Sequence, residues 1–88
     1  MWTEYPFPLS PQICKGVADQ YGTPVWLYDR STIEARIAEL KRFDVVRYAQ
    51  KANSNLALLA LMKAHGVVVD AVSAGEIERA LRVGFSVT

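Results

Sequence analysis

Residues 45–76 read VVRYAQKANSNLALLALMKAHGVVVDAVSAGE, and this stretch decides the fold. Its first part, Val45 to Ala52, predicts a strand. Asn53 and Ser54 then offer caps for a helix over about Asn55 to His65. That helix is apolar almost all round, with Leu56, Leu58, Leu59, Leu61 and Met62, as expected of a helix buried on more than one side. Gly66 suits the position just past its end. Val67 to Val72 predicts the next strand, and its valine run suits one covered on both faces, as in parallel sheets. Ser73 and Glu76 have capping-box spacing. Ile77, Ala80 and Leu81 follow as an apolar helical stripe closed by Gly84. Strand, helix, strand, helix with short junctions predicts right-handed parallel βαβ units.

Upstream, Asp29 to Phe43 predicts another helix. Ser31 and Glu34 have capping-box spacing there, and Ile33, Ile37 and Leu40 form one stripe. Val25-Trp26-Leu27-Tyr28 is β-branched and aromatic and predicts a strand. Tyr21-Gly22-Thr23-Pro24 predicts a turn, and Gln12 to Gln20 a short helix weakened by Gly16. Pro6, Pro8 and Pro11 make Met1 to Pro11 an extended, irregular arm.

Composition narrows the function. The chain has 88 residues, 51% hydrophobic and 22% charged, which suits one small ordered domain. Ten basic residues against nine acidic ones give a net charge of +1, with no basic stripe for nucleic acid. One cysteine, Cys14, excludes an internal disulfide and a cysteine zinc site, and one histidine, His65, excludes a paired-histidine metal motif. No metal site is expected. The longest strongly apolar stretch, Leu56 to Met62, is far below the roughly 20 residues that span a bilayer. The N-terminus lacks the pattern of a signal peptide, so the expectation is a soluble cytoplasmic protein without membrane or nucleic-acid partners.

In parallel α/β folds, reactive groups collect at the C-terminal ends of strands. Lys51 lies at such an end. Strand alternation puts it on one face with the small Ala49, and Tyr48 and Gln50 on the other. Arg47 shares this parity and is expected near the opposite end of the strand. Two readings of Lys51 stand on pattern alone: an ammonium reaching to solvent, or a partly desolvated amine that forms a Schiff base with an aldehyde. Asp70, inside a valine-rich strand, needs a partner, and Lys51 on the neighbouring strand is the obvious one. Asp70 otherwise turns to solvent or caps the next helix. Glu76 reads first as the capping-box acid, although the same helix start could turn it toward the pocket. His65 reads as a surface residue at a helix C-terminus, and Cys14 as inert.

Several ordered segments then add a specific likeness. Tyr48-Ala49-Gln50-Lys51-Ala52-Asn53 resembles the YAxKAN signature of the fold-type III pyridoxal-phosphate decarboxylases. Asp70-Ala71-Val72-Ser73-Ala74-Gly75-Glu76 resembles their DxxSxGE segment, and Tyr21 to Asp29 their YGTPxxxYD opening. Phe43 to Tyr48 and Gly75 to Leu81 complete a resemblance covering roughly residues 20–85.

The resemblance implies an α/β fold, the N-terminal portion of a pyridoxal-phosphate-binding (β/α)8 barrel of the alanine racemase kind. Residues 30–88 would supply the first βα units. Residues 1–29 would form an arm and a strand bordering the family's second, β-rich domain. Lys51 would carry pyridoxal 5'-phosphate through a Schiff base and return as a proton carrier. Ala49 would pack by the cofactor, Asp70 would also be a cofactor-binding residue, and Asp70 and Glu76 would position Lys51 and balance its charge. The expected reaction is decarboxylation of a small amino acid, the ring acting as electron sink. The wording of Gly75 to Leu81 favours meso-diaminopimelate, giving lysine, over ornithine, arginine or carboxynorspermidine. Ser54 and Ala74 stand at positions where the family's pattern differs or varies. The full-length parent is expected to be a homodimer. Such a barrel takes about 250 residues, and the phosphate loop and substrate residues come later in family members. The chain is therefore expected to be an N-terminal piece, inactive alone. A non-enzymatic α/β remnant is the alternative.

Overall fold

The computed structural model describes residues 9–86 and divides the chain into two compact units, Met1–Arg36 and Ile37–Thr88. Residues 1–8, which hold most of the expected arm, lie outside the description.

In the first unit, helix α1 spans Pro11–Tyr21. Ser10 caps it, its hydroxyl accepting from the Ile13 amide at 3.2 Å. Pro11 therefore opens the helix instead of ending an arm. Proline suits this first position because the amide it lacks has no helical partner there. Gly22, at φ 88°, ends α1 with its amide on the Ala18 carbonyl. Val25 to Tyr28 is not a strand. A strand needs a ladder partner for its backbone, and none pairs with it among the described residues. Its side chains are exposed, Trp26 at 88%.

Helix α2 spans Arg30–Glu39, and the hydrogen bonds at its start fall on Asp29 rather than Ser31. The Asp29 carboxylate accepts from the Thr32 amide at 3.0 Å, and the Ser31 and Thr32 hydroxyls donate to the same oxygen. Asp29 wins because its carbonyl also takes the first helical bond, from Ile33. The helix stops four residues before Phe43. Leu40, Lys41 and Phe43 bond three residues back, a tight turn that ends the α pitch.

In the second unit the order is β1 (Arg47–Ala49), a single 3-10 turn (Gln50–Ala52), α3 (Leu56–Ala64), β2 (Val68–Asp70) and α4 (Ala74–Val83). The strands pair in parallel, Arg47 opposite Val68, Tyr48 opposite Val69 and Ala49 opposite Asp70. This is the expected α/β pattern with shorter strands. Asn55, not Asn53 or Ser54, caps α3, accepting from the Ala57 and Leu58 amides. Ser73 caps α4 as expected. Gly84 closes it at φ 106°, and Gly66 follows α3 at φ 72°.

α3 packs against α4 and against β2. Ile37, Leu59, Met62, Val67 and Ala80 are the buried apolar residues. Both strands alternate exposed, half-buried, exposed. Tyr48 and Val69 therefore face inward, while Arg47, Ala49, Val68 and Asp70 share an open face. The expectation of a valine strand covered on both faces fails here, because no described element covers the second face. The same open packing leaves Leu56, Ile77 and Leu81 partly exposed.

Candidate functional site

The site forms where β1 and β2 end. Lys51 lies in the 3-10 turn, two residues beyond Ala49, so the pleat does not extend to it. The strand argument that put Ala49 and Lys51 on one face is thus replaced by a turn geometry. Alternation of burial nevertheless continues. Ala49 and Lys51 are exposed, Tyr48 is half-buried, and Gln50 is fully buried.

The turn is anchored from several directions. The Asn53 amide donates to the Gln50 carbonyl at 3.1 Å. The Tyr48 hydroxyl donates to the Asn53 carbonyl at 2.7 Å, spanning the lysine turn from the strand. The Asn53 side chain accepts from the Asn55 amide, tying the turn to the α3 cap. From α4, Arg79 Nη1 donates to the Ser54 carbonyl at 3.4 Å. Lys51 itself makes no hydrogen bond or ion pair among the described residues. The turn around it is held while its side chain stands exposed.

Asp70 sits at the end of β2 opposite Ala49. Its carboxylate pairs with Arg47, Nη1 to Oδ1 at 3.2 Å, and not with Lys51 as the sequence suggested. Cross-strand register decides this: Arg47 and Asp70 lie diagonally on the same face of paired strands. Arg47 does stand at the opposite end of the strand from Lys51, as its parity required.

Glu76 takes the capping role. Its Oε1 accepts from the Val72 amide at 3.1 Å, and the Ser73 hydroxyl accepts from the Glu76 amide at 3.2 Å. The carboxylate reaches the residue before the cap, and this holds the Val72–Ser73 junction one residue beyond Asp70. His65 is half-buried rather than on the surface, and its carbonyl accepts from the Lys41 ammonium. Cys14 is half-buried. No cluster among the described residues has the donors for a metal ion.

Sequence reasoning missed three residues near Lys51. Arg47 was placed but given no partner. Tyr48 and Arg79 were not recognised as anchors, since both bonds end on backbone carbonyls that carry no side-chain signal. Gln50 was expected on the covered face and is there, although neither amide atom of its side chain has a hydrogen-bond partner among the described residues.

Comparison with known proteins gives this arrangement a family. Residues 30–88 match the family described as pyridoxal-dependent decarboxylase, pyridoxal binding domain. The chain belongs to the pyridoxal-dependent decarboxylases. Diaminopimelate decarboxylase of Streptomyces coelicolor is 64% identical over 78 residues, covering 89% of this chain and 18% of that protein. The Escherichia coli K12 diaminopimelate decarboxylase is 58% identical over 67 residues, 76% of this chain and 16% of the relative. A crystal structure of a diaminopimelate decarboxylase superposes with a TM-score of 0.85 at 52% identity, covering 88% of this chain and 18% of the solved one. The chain thus spans less than a fifth of the length of these relatives. The α/β fold is shared with this solved pyridoxal-dependent decarboxylase. No helix among the described residues is long and apolar enough to cross a membrane.

The residues present suit the aldehyde end of pyridoxal phosphate, the cofactor of such decarboxylases. An exposed amine without a partner stands at the strand end, beside an open face where Ala49 offers no bulk. That donor set fits a carbonyl group.

Proposed function

We propose that this chain is the lysine-bearing N-terminal part of a diaminopimelate decarboxylase, which converts meso-2,6-diaminopimelate to L-lysine. One observation carries the reading. Lys51 presents an unpartnered amine on an anchored turn at the end of a parallel strand, in a chain of the pyridoxal-dependent decarboxylase family. The relatives at 64% and 58% identity support the choice of substrate.

On this proposal Lys51 holds the cofactor by its ε-amine, with Ala49 leaving space for it. When bound, pyridoxal phosphate supplies an electron sink for the charge left by loss of carbon dioxide. Once displaced by the substrate amine, Lys51 Nζ is placed to hold or return a proton. Asp70 sets the charge on the open sheet face, and Glu76 supports the site through the α4 cap. Residues 30–88 would supply the first units of a (β/α)8 barrel, with the open face of β1 and β2 turned inward. Residues 1–29 would form the arm and border a second, β-rich domain, which gives the exposed Val25 to Tyr28 segment a surface to cover it. The full-length parent would be a cytoplasmic homodimer acting on a small amino acid and binding no nucleic acid. The chain alone, at less than a fifth of its relatives' length, would be inactive.

The test is carbon dioxide release by the full-length protein carrying this chain. Meso-diaminopimelate, ornithine, arginine and carboxynorspermidine would be supplied separately with pyridoxal phosphate. Preference for diaminopimelate is expected. Preference for another amine would move the protein to a sister branch of the family, and no release from any would refute the reading.

A further inference from the structure

The residue immediately before Lys51 is the most deeply buried group of the site. We propose that Gln50 is a positioning residue that aims Lys51 by packing. Its side chain is a plug in the interior that fixes the turn, and its amide adds no bond to that hold. This rests on the proposed role of Lys51.

Gln50 is 0% exposed, and the other buried side chains among the described residues are all apolar. Neither Oε1 nor Nε2 has a hydrogen-bond partner among the described residues. A buried amide in that state has lost its bonds to water without gaining others, so an apolar side chain of the same reach would sit there at least as well. Shape, and not hydrogen bonding, is therefore what seats this side chain. The same residue closes the turn, since its carbonyl accepts from the Asn53 amide at 3.1 Å. Three residues make one turn of a 3-10 helix, so successive side chains leave it about 120° apart. With Gln50 seated inside, Lys51 leaves the turn in another direction and stands exposed. The remaining holds act beyond Lys51, where Tyr48 and Arg79 bond the carbonyls of Asn53 and Ser54. Gln50 alone joins the interior to the lysine through a single peptide bond.

The experiment uses the full-length protein carrying this chain, freed of cofactor. Pyridoxal phosphate is added, samples are quenched with borohydride at timed intervals, and the pyridoxyl group on the Lys51 peptide is measured by mass spectrometry. Gln50→Ala removes the plug and should slow attachment about tenfold or more, because a small misplacement of a reacting group is costly. Gln50→Val, a milder truncation, takes its place if Gln50→Ala fails to fold. Gln50→Met keeps the reach without the amide. Its attachment should stay within about twofold of the original, and its urea midpoint should not fall. Met62→Ala is the control: Met62 is buried in the last turn of α3, at the end away from the lysine turn. It should lower the urea midpoint and leave attachment within about twofold of the original. Slowing in Gln50→Met as large as in the truncations would overturn the proposal, because the amide would then be making a bond. Unchanged attachment in a truncation shown to be folded by circular dichroism would also overturn it. So would equal slowing in Met62→Ala, for then Gln50 would act only through stability. Trapping on Lys51 in the unaltered protein reports the underlying reading separately. Trapping there together with any of these three results refutes only the role of Gln50. No trapping refutes the role of Lys51 itself.

Discussion

Replacing Glu76 by Gln and by Ala separates two roles for this carboxylate, as a helix cap and as a counter-charge for Lys51. In the structure, Oε1 accepts from the exposed Val72 amide at 3.1 Å, in the first turn of α4. A glutamine retains an oxygen acceptor at that position. It loses only the favourable meeting of negative charge and helix N-terminus, worth about 0.3–1 kcal/mol at an exposed site. An alanine loses that and the hydrogen bond, a further loss of about 0.5–1.5 kcal/mol. The cap account therefore predicts destabilisation of about 0.5 kcal/mol for Glu76→Gln and about 1–2 kcal/mol for Glu76→Ala. Urea unfolding followed by circular dichroism measures both, provided the slope with denaturant is unchanged. Ser73→Ala should cost about 1 kcal/mol, because its hydroxyl caps the same turn. Ser73→Ala combined with Glu76→Ala should be less than additive, since both serve one helix end. Equal losses for Glu76→Gln and Glu76→Ala would refute the reasoning. So would a Glu76→Gln protein of unchanged stability whose Lys51 no longer reacts with pyridoxal phosphate, for then charge balance and not capping would be the role.

Further outcomes follow from the same structure. The Asp29 carboxyl is held below its ordinary range, chiefly by the Thr32 hydroxyl and next by that of Ser31. A depressed folded value gives stability that is present above the unfolded value and lost as pH falls through the folded one. Asp29→Asn should therefore flatten the acid limb of the stability profile below about pH 4, and an acid limb superimposable on the original would contradict this. Leu59 is 0% exposed and Leu56, on the same helix, 41%. Leu59→Ala should cost about 3 kcal/mol and Leu56→Ala about 1 kcal/mol, while equal shifts in the urea midpoint would deny that Leu59 belongs to the core. Tyr48→Phe removes the bond to the Asn53 carbonyl and should cost about 1 kcal/mol. It should also slow cofactor attachment at Lys51, and an unaltered rate would show that the turn is held by its other bonds.

Much of the second unit was legible because its signals are local. Ser73 and Gly84 mark the ends of α4 by chemistry that acts within one turn. The valines and the apolar helix between them announce a parallel pair. Asn55 displaced the expected cap because three neighbouring polar residues all have capping chemistry, and the backbone that enters the helix selects one. What local reading could not supply was register. The pairing of Asp70 with Arg47 instead of Lys51 is a property of how two strands slide against each other, 23 residues apart in sequence. The end of β1 was misjudged for a related reason. Gln50 to Ala52 are compatible with a strand by composition, but the Asn53 amide closes back on the Gln50 carbonyl and winds them into a turn. Val25 to Tyr28 has strong strand propensity but pairs with no strand among the described residues, and propensity without a ladder does not make a strand.

The central claim is that Lys51 is the residue that holds pyridoxal phosphate. The most direct measurement is to load the full-length protein with the cofactor, reduce with borohydride and map the modified peptide. The account predicts a pyridoxyl group on the peptide containing Lys51, and none when Lys51→Arg is treated in the same way. Modification at another lysine, or equal labelling of the Lys51→Arg protein, would contradict it.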